Sequence, residues 1–155
     1  MAYNPAIADV LVSVMDEMGI KRTFDQTSKE GLFTIHMKIH SRLQNVMIHV
    51  LVREDNFSVL ATLPLAADEN IRLAVAEYLT RANYNMRNGN FEMNMADGVI
   101  RFKTYHHVGE GPLDRKAARL SLILPALMID RYGNGLIDVL FSLKSPREAI
   151  EGIGV

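Results

Sequence analysis

Five histidines carry most of the chemistry open to this chain: His36, His40, His49, His106 and His107. Neutral imidazole ligates metals, and near neutral pH it accepts protons as a general base. His36 and His49 lie in neighbouring stretches of alternating sequence. If Arg42 and Leu43 form a two-residue turn, these two imidazoles face each other on the polar side of a hairpin, roughly 5 Å apart, and such a pair could share a metal. His40 lies two pairs further along, and no carboxylate is placed to complete a coordination shell. His106 and His107 are consecutive in a strand and point to opposite faces. No Ser, Asp or Glu is fixed beside any of these imidazoles, so no general-base grouping emerges.

The other reactive types are equally scattered. Asp16-Glu17, Glu54-Asp55 and Asp68-Glu69 fall at helix ends or turns, where capping and solvation account for them. Gly109-Glu110-Gly111-Pro112 precedes a helix, but it lacks the Lys and Ser/Thr of a P-loop and does not follow the Rossmann spacing. The absence of cysteine removes disulfides, thiolate metal sites and cysteine nucleophiles. The chain therefore reads as non-enzymatic, with no catalytic residue, no resident metal and no cofactor. Its net charge of −1 is spread along the sequence, unlike the clustered basic residues of a nucleic-acid binder. Asp9, Asp16 and Glu17 interrupt the apolar N-terminal stretch, so no signal peptide is expected there. No window reaches the roughly 18 uncharged apolar residues of a membrane span. We read the chain as cytoplasmic, with neither nucleic acid nor membrane as partner.

The elements that position these residues follow from periodicity. Asn4 and Pro5 open a first helix whose apolar stripe runs from Ile7 to Met18, and Gly19 ends it. Arg22 to Thr27 reads as a short strand. Phe33, Ile35, Met37 and Ile39 alternate with polar residues in the next strand, as do Val46, Ile48, Val50 and Val52 in the one after. A turn at Arg42-Leu43 sets Ile39 against Val46 and Ile35 against Val50. A turn at Asp55-Asn56 sets Val52 against Val59 and begins a fourth strand, residues 57–63. Asp68 caps a second helix ending near Tyr84. Phe91 to Met95 and Val99 to His106 form a hairpin about Asp97-Gly98, with Met95 facing Ile100. A third helix begins at Leu113; Pro125 should kink or divide it, and Gly133-Asn134-Gly135 should stop it near Tyr132. A short helix follows from Leu136, and Ser145-Pro146-Arg147-Glu148 opens another over 146–151.

The order α-β-β-β-β-α-β-β-α, an α+β antiparallel sheet with helices, resembles the YbjN-like family, whose fold is similar to that of type III secretion chaperones. The resemblance covers most of the chain as one domain, residues 1–155. It rests on LAVAEYLTRANYNMRNGNFEMNMADGVIRFKTYHH, residues 73–107, and on the tail SPREAIEGI, residues 145–153. It implies a non-enzymatic, often dimeric protein of the kind loosely described as regulators of sensory transduction, and the similar chaperones bind other proteins. No catalytic residue comes with it.

One feature of the sheet fits that expectation. Met47, Leu51 and Leu60 fall on the face that should be polar, with Leu51 expected opposite Leu60. A terminal helix could cover this apolar patch within the monomer. Left open, it would be a homodimer surface or the contact for an unidentified protein partner. The alternative is a small-molecule or metal-binding sensor domain using the exposed histidines.

Overall fold

The computed structural model describes residues 3–25 and 27–154. Helix α1 (Pro5–Glu17) starts where Asn4 takes an extended conformation and its side chain accepts the Ala6 N–H at 2.9 Å. Gly19, at φ +69, turns the chain out of the helix. Six strands follow: β1 (Thr23–Asp25), β2 (Gly31–Lys38), β3 (Asn45–Val52), β4 (Asn56–Ala66), β5 (Asn90–Met93) and β6 (Val99–His107). They form one antiparallel sheet in the order β1-β2-β3-β4-β6-β5. A 3₁₀ turn at Glu69–Ile71 leads into α2 (Arg72–Asn83), and α3 (Arg115–Leu140) and α4 (Pro146–Glu151) complete the chain. This is the expected α+β order. The first strand is shorter than the expected Arg22–Thr27, and Gln26 of that range lies outside the described residues.

The buried cluster joins α1 (Ile7, Leu11, Met15), one face of the sheet (Ile35, Ile48, Val50, Phe57, Val59, Phe102), α2 (Val75, Tyr78) and α3 (Leu122, Ile129, Leu136). α3 crosses β4 and β6, α1 and α2 flank it, and α4 packs on both α2 and α3. All the helices therefore sit on one face of the sheet.

Each hairpin is displaced by two residues from the expected register. Ile35 pairs with Ile48 and Met37 with Val46. Val50 pairs with Val59 and Val52 with Phe57. Met93 pairs with Ile100 and Phe91 with Phe102. A slip of two leaves every side chain on its own face, so apolar still meets apolar, and the turns decide between the registers. Between β2 and β3 the loop is residues 40–43, closed by the Ile39 N–H donating to the Gln44 carbonyl and by Gln44 at φ 65. The loop is wide because α3 holds it. Leu43 is buried, the Ser41 N–H donates to Asp130 at 2.6 Å, and the Arg42 N–H donates to Asn134 at 2.8 Å. Between β3 and β4 the turn is Glu54-Asp55, not Asp55-Asn56: the Arg53 N–H donates to the Asn56 carbonyl. Between β5 and β6 it is residues 95–98, closed by the Asn94 N–H on the Val99 carbonyl. Gly98 stands at φ +76 with the Ala67 carbonyl so close that no side chain fits.

Pro125 lies inside the third helix without dividing it, and one expectation is overturned: Gly133-Asn134-Gly135 does not stop the helix. The proline leaves the Ser121 carbonyl without its helical N–H donor. The buried Thr104 hydroxyl on β6 donates to that carbonyl at 3.0 Å. The glycines serve close approach, not termination. A Cβ at Gly133 would lie 2.7 Å from Ser41 Oγ and 2.8 Å from Leu43 Cδ1, and one at Gly135 would lie 2.6 Å from Tyr78 Oη. The expected separate helix from Leu136 is the continuation of α3. α4 begins as expected, with both bonds of the Ser145–Glu148 capping box formed.

Candidate contact surface

The sheet face away from the helices consists of three cross-strand rows. Leu32, Leu51, Ser58 and Tyr105 make one; Thr34, His49, Leu60 and Lys103 the next; His36, Met47, Thr62 and Arg101 the third. The expected facing of Leu51 and Leu60 is thus replaced by a diagonal, because the β3–β4 turn starts one residue earlier. Leu51 now faces Ser58, and Leu60 faces His49. The three residues still share the face. Met47 is 41% exposed, and Leu51 and Leu60 are half-buried outside the core cluster. Among the described residues no helix covers them.

Two further residues contribute to this face. Leu32 belongs to β2, whose apolar alternation was counted only from Phe33, and it pairs with Leu51. Tyr105, 58% exposed, lies across Ser58 in the same row. Alternation along β6 already puts Tyr105 opposite in sense to Phe102 and Thr104, so parity alone could have found it. With strands about 4.8 Å apart, the row from Leu32 to Tyr105 spans roughly 15 Å. Charge borders the apolar diagonal on its β5 side. Glu92 bonds both Arg101 and Lys103. Burial pushes the Glu92 carboxyl up, but hydrogen bonds from Lys103 and Arg101 outweigh it and hold the carboxyl below its ordinary value.

The histidines do not converge. His36 faces Met47 and His49 faces Thr34, so the two imidazoles sit on a diagonal and not opposite each other. His106 packs its ring 5.5 Å from Phe57 on the core side, while His107 lies 3.7 Å from Asp55 on the other. Among the described residues no group of three or more His, Asp or Glu is placed to hold a metal. The first carboxylate pair is divided too: Asp16 bonds Arg22 and Glu17 bonds Arg115. At the start of α3 the Asp114 carboxylate accepts the Ala117 N–H, occupying one of the donors that a phosphate would need and placing a like charge there. No helix is long and apolar enough to cross a membrane among the described residues. The chain matches no protein-family model and no curated protein sequence.

Proposed function

We propose that this chain is a non-enzymatic, protein-binding domain of chaperone-like or regulatory type, working in the cytoplasm as a homodimer. The observation that carries the reading is the open apolar diagonal on the sheet: Met47, Leu51 and Leu60, extended by Leu32 and Tyr105. Apolar side chains grouped on a solvent-facing sheet lose little by leaving water, and burial against another surface stabilises the contact by about 25 cal/mol per Å². Met47 adds a flexible thioether that adjusts to an uneven partner. Two copies related by a two-fold axis would each offer the same patch. The likeness of residues 73–107 and 145–153 to the YbjN-like family, a family of often dimeric, non-enzymatic proteins, supports the same reading.

Sedimentation velocity on the wild type and on a Leu51→Asp/Leu60→Asp variant tests it. We expect the wild type at twice the chain mass and the variant at the chain mass, with the same far-ultraviolet circular dichroism. A wild type that stays monomeric at every concentration, or a variant that still pairs, overturns the dimer.

A further inference from the structure

On the helical side, away from the contact face, the turn after α2 and the middle of α3 enclose a cleft of about 290 Å³. Leu124, Met128 and Tyr132 line it from α3, and Tyr84 and Met86 from the turn. Two guanidinium groups, Arg87 and Arg131, also line it. Among the described residues neither has a carboxylate within ion-pair distance, although most of the other arginines do. The nearest acid in sequence, Asp130, is engaged by the Ser41 N–H. The Arg131 guanidinium stands 5.7 Å from the centre of the Tyr132 ring. No acidic side chain lines the cleft.

The walls are held in place. Asn83 accepts the Phe91 N–H at 2.7 Å and donates to the Phe91 carbonyl at 2.9 Å, pinning both ends of the turn. Within it, the Met86 N–H donates to the Asn83 carbonyl, and Asn85 takes a left-handed conformation at φ 67. Tyr132 is buried, its ring edge-on to Phe91.

We propose that this cleft binds a small organic anion: an aryl or short alkyl body ending in a carboxylate or phosphate. Arg87 and Arg131 hold the anionic group, and Leu124, Met128 and Tyr132 hold the body. Guanidinium presents forked donors that match the oxygens of either anion. At roughly 30 Å³ per water in the liquid, the cleft holds about ten water volumes, the size of a single ring with its acid group. It lies just below the usual size of ligand sites, and its lining mixes apolar and aromatic side chains with Asn85, Asn88 and the two arginines.

The test is a proton–nitrogen NMR titration of the full chain with phenyl phosphate and with 3-phenylpropionate. Benzyl alcohol serves as the neutral body and inorganic phosphate as the bare anion. Saturable shifts confined to residues 84–88 and 124–132 are expected with both organic anions, and binding at least tenfold weaker with the two controls. Arg87→Gln and Arg131→Gln, both at exposed positions, should each weaken binding severalfold and leave the rest of the spectrum in place. Tighter phenyl phosphate assigns a phosphomonoester, and tighter phenylpropionate assigns a carboxylate. Shifts that stay linear to the solubility limit, equal binding of benzyl alcohol, or an unaffected double arginine variant overturns the proposal. So does an acidic peptide that saturates the same residues when neither small anion does, since the cleft would then be a protein contact.

Discussion

Pro125 removes one hydrogen-bond donor from α3, and one hydroxyl from the sheet replaces it. Thr104 is buried and its bond to the Ser121 carbonyl part-buried, so losing the hydroxyl should cost up to the roughly 1–3 kcal/mol of an unpaired buried group. Thr104→Val keeps the shape and removes the donor, and urea unfolding should show a loss of that order. In a Pro125→Ala background the helix supplies its own N–H, so the same substitution should cost much less. Equal losses in both backgrounds would show that the hydroxyl is not compensating the proline. Charge is used in a similar way at the tip of the β2–β3 hairpin. The Arg42 hydrogen bond, joined by one from Lys144 and opposed by burial, holds the Asp138 carboxyl below its ordinary 3.8. Its folded value is depressed, so its contribution is full above 3.8 and is lost as pH falls through the lower folded value. Arg42→Gln should lower stability at neutral pH and flatten its decline as pH falls below 3.8. An acid limb identical to the wild type would rule this out. The histidines do not converge on one point, and calorimetric titration with zinc or nickel should give no saturable heat for the wild type or for His36→Ala.

At the scale of elements, α1, the six strands and α4 could be read from local signals that act within a few residues: Asn4-Pro5, the period-two alternation and the Ser145–Glu148 box. The registers could not, because alternation separates odd slips from even ones but not one even slip from another. The choice lay in contacts far away in sequence. Leu43 and Ser41 lie against Gly133, and this requires a wide loop where Arg42-Leu43 alone suggested a tight one. The uninterrupted length of α3 has the same origin. Gly133 and Gly135 look like a stop signal, yet each is the point where the helix meets another part of the chain too closely for a Cβ. Alanine is the better helix former by about 1 kcal/mol, but overpacking costs about 1–3 kcal/mol. Gly133→Ala should therefore lower the thermal midpoint despite its helix propensity. A raised midpoint would mean that Ser41 and Leu43 yield easily.

At the scale of the whole molecule, the sheet is covered on one side and open on the other. Alternation was enough to place Met47, Leu51 and Leu60 on the open side, because parity survives a slip of two. Their mutual arrangement, and the addition of Leu32 and Tyr105, needed the true register. The same sheet ends in very short strands, three residues in β1 and four in β5. Long free edges invite strand-by-strand addition, and each added copy offers a fresh edge, so growth by that route has no natural end. Association through the broad face uses up the face that forms it. Outermost strands this short offer little template for fibre growth, and if the chain pairs through the broad face as proposed, its assembly should stop at a finite stoichiometry. Light scattering over a concentration series should level off instead of climbing.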